Sequence, residues 1–225
     1  MMRRAPDGSG KEGRRPRPFL TYLIAFHAAW AAWVWLGYPR VRSLGEETFV
    51  YALANIGVRL LLWVAPVWVY VRRVRGEEPA RYLKLKGRWR RGVLVGLALS
   101  ALNFCGSLAR LGVPHFDARA VTWNSILSTS LLIGFVEEVP YRGFILQELQ
   151  ERLGFWPAGL LSSLLFVGIH LPGWFLLGSF RAEVAASVFV FGAGLAVVFR
   201  YSKSLWSVIV AHSLNDFLAF VVFRV

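Results

Sequence analysis

The chain has 225 residues, 56% of them hydrophobic, with a mean hydropathy of +0.49 and a formal net charge of +13 at pH 7. This composition excludes an ordinary soluble globular domain, so the membrane class is considered first. The charge comes without a nucleic-acid-binding module, and nucleic acid is not expected as a partner.

Residues 1–18 are rich in arginine, proline and glycine, a composition typical of a disordered leader. Crossing a bilayer core of ~30 Å takes about 20 apolar residues in a helix. The rest of the chain contains seven such runs: 19–37, 49–71, 92–111, 121–139, 157–178, 184–200 and 204–224. We predict an all-α, polytopic transmembrane helical bundle of about seven spans, in one domain over residues 19–225.

Two of these runs leave the number of spans open. The run 184–200 is short, and Pro172 with Gly173 is expected to open the helix within the run 157–178. The count therefore ranges from six to eight. The single cysteine, Cys105, lies in the third run and is expected to be a small core residue.

Basic residues are concentrated on alternate loops. The leader and the loop 72–91 are rich in them, whereas the loops on the opposite side carry few. This asymmetry follows the positive-inside rule and places the N-terminus in the cytoplasm, with anionic lipids as partners of the basic loops. The abundance of tryptophan, arginine and glycine fits a bacterial source, so we expect an integral protein of a bacterial inner (cytoplasmic) membrane.

Ionisable side chains inside apolar runs cost about 2.5–3.5 kcal/mol each on insertion scales, so each is a candidate functional residue by default. The runs and their ends contain His27, Arg59, Glu137, Glu138, Arg142, His170, His212 and Asp216. His27 and Arg59 stand alone in their runs. We interpret them as a histidine bonded to a neighbour and an arginine that pairs or reaches the interface, without a chemical role.

The stretch EEVPYR, residues 137–142, holds two adjacent acids at the end of an apolar run. Glu138 and Arg142 are four residues apart and can pair on one helix face. Glu137 points about 100° away from Glu138, so the two acids need not share a role. Pro140 removes one backbone donor, and we expect a kink beside the acids. One acid can be held by Arg142 while the other faces a cavity.

Two histidines follow in later runs. His170 lies in FVGIH, where Phe166 one turn earlier can cover one side of its ring. His212 lies in HSLND, with Asp216 four residues on along the same face and Asn215 beside it. A carboxylate or amide at that place can fix the tautomer of the imidazole.

Carboxylates and imidazoles that converge on one wet cavity would form a hydrolytic site. A glutamate can take a proton from water, and histidines can hold a metal, polarise the water or donate to an oxyanion. Glu137, His170 and His212 match a common zinc ligand set, although the local HExxH signature is absent. The cofactor therefore stays open between a divalent metal such as zinc and none.

The three motifs, in their order along the chain, resemble those of the CPBP family of CAAX proteases and bacteriocin-processing membrane enzymes, also called the Abi family. They are EEVPYR at 137–142, FVGIH at 166–170 and HSLND at 212–216. The resemblance covers about 120–220 and implies an all-helical, glutamate-dependent intramembrane protease, with this segment as its catalytic core.

Carried over to this sequence, the resemblance implies that Glu137 activates water together with His170. It also implies that Glu138 and Arg142 hold the first motif helix in place. The expected substrate is a membrane-associated or lipidated protein or peptide. Two alternatives stay open: a non-enzymatic immunity or interaction protein on the same scaffold, and an ion-coupled transporter, whose inverted repeats the sequence does not show.

For the third motif, the resemblance implies that His212 and Asp216 stabilise the oxyanion or join a metal site. Asp216 stands where many family members have asparagine. An ionised aspartate is a poor oxyanion donor, which favours an orienting role for Asp216 or the amide of Asn215 as the donor.

Overall fold

A computed structural model describes residues 17–114 and 121–223. Within them, the long helices are α1 (Arg17–Leu36), α2 (Phe49–Arg75), α3 (Trp89–Leu111), α4 (133–153), α5 (Phe155–Leu176), α6 (Ala182–Ser202) and α7 (Leu205–Phe223). Shorter helices span Tyr38–Arg42, Pro79–Tyr82 and residues 123–131. These ranges contain no strand, which confirms the all-α prediction. The predicted leader 1–18 lies outside the described residues except for its last two positions.

Within the described ranges, six helices, all the long ones except α4, are long and apolar enough to cross a membrane. The prediction of a single span over 121–139 is wrong, because a turn at Leu132 precedes α4, which begins at Ile133. α4 carries several charged side chains that would be costly in lipid. The other helices therefore enclose its first two-thirds, where nearly every residue from 133 to 146 is buried.

α5 does not open at Pro172 and Gly173, contrary to the prediction, and continues to Leu176. Proline removes one backbone donor, but a packed membrane helix can absorb one missing bond through local adjustment and its neighbours. The wall of the bundle that carries His170 is therefore a continuous helix.

Small residues allow α3 and α4 to approach α7 closely. A Cβ added to Gly134 of α4 would lie 2.5 Å from Ser213 Oγ, and one added to Gly96 of α3 would lie 2.9 Å from the Ser207 carbonyl oxygen. Close approach at small residues is common between membrane helices. These contacts hold α7 against the helix that carries the two acids.

Cys105 is exposed on α3, so the expectation of a core position is wrong. The buried residues of α3, Gly92, Gly96 and Ser100, recur every four positions and form one face. Cys105 lies five residues beyond Ser100, which is about 140° around the helix from that face.

The loop after α2 lies at one end of the bundle, next to the ends of several helices. Arg75, at the end of α2, forms ion pairs with Glu148 (2.5 Å) and Glu151 (2.7 Å) of α4. The Leu205 amide, at the start of α7, donates to the Lys84 carbonyl oxygen (3.1 Å). We call this end the basic face and define it by Arg75, Lys84, Arg152 and Lys203.

Candidate active site

A cavity of about 660 Å³ lies between α2, α4, α5, α6 and α7. The predicted site residues that line it are Glu137, Phe166, His170, His212, Asn215 and Asp216. Its other walls are formed by Arg59, Thr129, Ile133, Trp174, Val184, Ser187, Val188, Phe191, Ala219 and Phe220. Two predicted residues, Glu138 and Arg142, lie behind the wall and are completely buried.

Glu137 is the acid that faces the cavity. Its Oε2 lies 3.7 Å from His212 Nε2, and its Oε1 lies 3.9 Å from Arg59 Nη1. Both separations exceed a direct hydrogen bond. The carboxylate therefore retains lone pairs with which it can accept a hydrogen bond from a water or a substrate group in the cavity.

Glu138 lies in a buried polar network that links three helices. Its Oε1 accepts hydrogen bonds from Arg142 Nη1 (2.9 Å) and from His212 Nδ1 (2.7 Å) of α7. Arg142 Nη2 donates to the Gly192 carbonyl oxygen of α6 (3.0 Å), and its guanidinium lies 4.5 Å from the centre of the Phe166 ring. The network thus holds α4, α6 and α7 in register around the cavity.

The backbone of α4 is irregular beside the acids. Pro140 ends the first α-helical segment, and a π turn follows over Tyr141–Ile145. The Tyr141 amide donates to the carbonyl oxygens of Glu137 and Glu138. A π turn of this kind adds one residue to a helical turn and so changes the directions of the side chains before it relative to those after it. Such π turns are frequent at functional sites.

The hydrogen bond of His170 determines which ring nitrogen is free. Its Nδ1 lies 2.7 Å from the Phe166 carbonyl oxygen, which can only accept, so Nδ1 carries the proton. The ring also lies between the aromatic rings of Phe166 and Trp174, with centroids 5.0 and 5.4 Å away. In the neutral imidazole, Nε2 is therefore the nitrogen with a free lone pair.

His212 is oriented from both sides of its ring. Nδ1 donates to Glu138, so the close partner is a residue of α4, and Nε2 lies 3.7 Å from Asp216 Oδ2. Asn215 Nδ2 donates to Asp216 Oδ1 (3.1 Å), and Asn215 Oδ1 accepts from Asn103 Nδ2 of α3 (3.0 Å). Asn215 thereby links Asp216 to α3.

The sequence interpretation missed Arg59. The prediction that it pairs agrees with the structure, since its Nη1 lies 3.9 Å from Glu137 Oε1, but the prediction did not place it in the site: its side chain lines the cavity and lies 5.8 Å from the centre of the Trp30 ring. The sequence did contain a signal for this position, because an arginine in the middle of an apolar run is by default a candidate functional residue. His27, in contrast, bonds through Nδ1 to the Leu23 carbonyl oxygen (2.8 Å), as a satisfied core histidine would.

The described residues contain no group of three or more His, Cys, Asp or Glu side chains arranged to hold a metal ion. The candidate ligands Glu137, His170 and His212 share the cavity but do not form such a group. These side chains therefore do not fit a zinc site in this arrangement, and no catalytic step below runs through a metal.

Part of the chain is similar to a known family of membrane enzymes. Residues 119–218 match the family model described as type II CAAX prenyl endopeptidase Rce1-like. The matched segment includes all three motifs and confirms the resemblance predicted from them. No curated protein and no solved structure matches the chain.

Proposed function

The match of residues 119–218 supports the CAAX-protease family, and from that premise we propose that the chain is a glutamate-dependent intramembrane endopeptidase. It hydrolyses a peptide bond in a membrane-associated or lipidated protein by means of water activated at Glu137. The observation that carries this proposal is the convergence of Glu137, His170 and His212, from three separate helices, on one cavity. Such a cavity with a few convergent polar groups is typical of an active site.

Glu137 is the proposed general base. Its carboxylate takes a proton from a water in the cavity, and the resulting hydroxide attacks the carbonyl carbon of the substrate. Arg59, 3.9 Å away, positions this carboxylate from the opposite wall. When the tetrahedral intermediate collapses, the C–N bond breaks and Glu137 returns the proton to the leaving amine, so protons balance over the cycle.

His170 is proposed to orient the attacking water. Because its Nδ1–H donates to the Phe166 carbonyl oxygen, its Nε2 can accept a hydrogen bond from that water. The water is then held by two acceptors, the Glu137 carboxylate and the His170 ring, and its oxygen lone pairs stay free to attack the substrate. This arrangement brings the reacting atoms together before the chemical step.

His212 is proposed to stabilise the oxyanion. Glu138 fixes Nδ1 as a donor, so a protonated ring presents Nε2–H to the cavity, where negative charge develops on the substrate oxygen. Asp216, 3.7 Å from Nε2, is assigned an orienting role. The Asn215 amide group already donates to Asp216 and serves the same orientation.

The direct test is cleavage of a membrane-anchored peptide reporter by purified protein in proteoliposomes. Glu137→Gln, His170→Ala and His212→Ala should each lower cleavage by about 10²–10⁴-fold, the usual cost of losing a general base, a group that positions the reactants or an oxyanion donor. Glu151→Gln, on the same helix but at the basic face, should retain activity.

Wild-type cleavage by Glu137→Gln at normal protein level would refute the general-base assignment. If all three variants kept the protein's biological effect while cleavage was absent, an immunity or interaction role on this scaffold would be favoured instead.

A further inference from the structure

A cavity of about 390 Å³ lies at the basic face, apart from the candidate active site. It is enclosed by the loop after α2, the end of α4 and the end of α6. The described residues that line it are Lys84, Gln150, Phe199, Arg200, Tyr201 and Lys203, of which three are cations and none is an acid. None of them lines the active-site cavity, so the proposed cleavage reaction does not account for this arrangement.

The turns that carry Lys84 and Lys203 have an unusual backbone conformation. Their φ angles are +56° and +53°, and within residues 17–114 and 121–223 they are the two non-glycine residues with positive φ. This conformation is costly for a residue with a Cβ, and glycine is the residue that most often ends a helix in it, as Lys203 ends α6. The Leu205 amide donates to the Lys84 carbonyl oxygen (3.1 Å) and so joins the two turns. Both strained positions therefore hold a lysine, and both lysines line one cavity.

Aromatic rings hold two of the three cations in place. Lys84 Nζ lies 4.6 Å from the centre of the buried Phe199 ring, and the Arg200 guanidinium lies 4.2 Å from the centre of the Phe155 ring. A ring attracts a cation through its quadrupole but carries no net negative charge. Among the carboxylates that the structure describes, none forms an ion pair with any of the three cations. The positive charge of the cavity is therefore positioned without being neutralised.

Lys84 and Lys203 are close enough for their charges to repel. Burial of the side chain, together with the charge of Lys203, lowers the pKa of the Lys84 ammonium below its usual value. Glu151 lines an adjoining cavity together with Lys84, but it forms its ion pair with Arg75 (2.7 Å). An anion bound between the two lysines would replace their repulsion by attraction, and its binding energy would offset the strain of the two turns.

We propose that the cavity between Lys84, Arg200 and Lys203 binds a phosphate group, which belongs to an anionic lipid headgroup or to a soluble phosphate. A guanidinium can bind two phosphate oxygens, and an ammonium acts as a point charge beside them. The cavity lies where the membrane-crossing helices α6 and α7 are joined, which is the level of lipid headgroups. Tyr201 is 68% exposed there, and tyrosine favours the membrane interface. A phosphate held by all three cations would join the loop after α2 to the end of α6.

The test uses the full-length protein purified in a maltoside detergent, which contains no phosphate. In one arm, inorganic phosphate is titrated at constant ionic strength. In the other arm, phosphatidylglycerol is added to the micelles, and phosphatidylcholine, whose headgroup has no net charge, is the reference lipid. The unfolding temperature is measured throughout, because a ligand that binds the folded state raises it in a concentration-dependent way.

Removal of one cation should weaken binding. Lys84→Gln and Lys203→Gln should each raise the apparent Kd by about 10-fold, which corresponds to the loss of one hydrogen bond to a charged group. Lys86→Gln is the matched control, because it removes the same charge from the same loop, but its ammonium already pairs with Glu78 (3.3 Å). Binding by Lys86→Gln should stay close to that of the wild type. An equal loss in this control, or unchanged binding by both cavity variants, would overturn the proposal.

Lys203→Gly separates loss of the ligand from loss of the fold. Glycine adopts the left-handed conformation without strain, so the unfolding temperature without ligand should rise in this variant. The further increase caused by the ligand should be lost, because one of the three cations is missing. If Lys203→Gly retained the full ligand-induced increase, the lysine would not belong to a phosphate site and the proposal would be overturned.

The two arms identify the source of the phosphate group. An increase with phosphatidylglycerol alone, lost in Lys203→Gln, assigns the cavity to a lipid headgroup. An increase with inorganic phosphate alone, lost in the same variant, assigns it to a soluble phosphate. If neither raises the unfolding temperature of the wild type, the proposal fails. These outcomes do not depend on Glu137, so the proposed function and this inference can fail independently.

Discussion

Arg59 and Glu137 approach each other across the cavity, with Nη1 and Oε1 3.9 Å apart. Arg59 belongs to α2, outside the matched residues 119–218, whereas Glu137 is the first residue of the first motif. Arg59 also packs over Trp30 of α1. The N-terminal half of the chain therefore supplies part of the candidate site as well as part of its scaffold.

Replacement of Arg59 by glutamine should lower kcat by about 10- to 100-fold, because a catalytic group displaced by about 1 Å can cost that much. KM should change little, since Arg59 is proposed to position Glu137 and not to bind the substrate. Arg59→Lys should recover part of kcat by restoring the charge. Steady-state kinetics on the reporter provide the measurement, and an Arg59→Gln protein with the wild-type kcat would contradict the positioning role.

The two adjacent acids should respond differently to the same change. Glu138→Gln removes the charge that compensates the buried Arg142, and breaking a buried pair in this way costs about 3–5 kcal/mol of stability. Glu137→Gln should leave stability nearly unchanged while activity is lost, because its contacts are longer and face the cavity. Thermal unfolding of both variants in detergent distinguishes them. Equal losses of stability would show that the division between the acids is wrong.

Gly134 should be required for the approach of α4 to α7. The added Cβ of Gly134→Ala would meet Ser213 Oγ at 2.5 Å, and overpacking of this kind typically costs about 1–3 kcal/mol. The displacement would also separate Glu137 from His212, so kcat should fall as well. Gly168→Ala is the matched control, since no atom lies within 4 Å of the added Cβ at that position. Similar unfolding temperatures for the two variants would contradict this account.

Removal of metal ions should leave cleavage unchanged. The described His, Cys, Asp and Glu side chains do not form a group suited to a metal, and the proposed water activation uses Glu137 and His170 alone. Cleavage is measured before and after dialysis against a strong chelator, with the metal content of each sample determined by mass spectrometry. Loss of activity that zinc restores would contradict the metal-independent scheme.

Features that depend on neighbours along the chain could be predicted from the sequence. The apolar runs predicted an all-α membrane protein, and the order of three motifs predicted the family that residues 119–218 match. The spacing of Glu138 and Arg142 brings them to one helix face, because residues four apart always lie one turn from each other. The roles assigned to these residues remain proposals.

Features that depend on packing between distant helices were decided only by the tertiary structure. Hydropathy alone did not predict that the other helices enclose α4. The presence of Pro172 predicted a break in α5, whereas the helix continues past it. Likewise, Asp216 is the nearest acid to His212 along the chain, but Glu138, 74 residues away, forms its shortest bond. Helical periodicity determines which residues share a face, whereas the contacts of that face depend on how the whole bundle packs, and this places Arg59 beside Glu137.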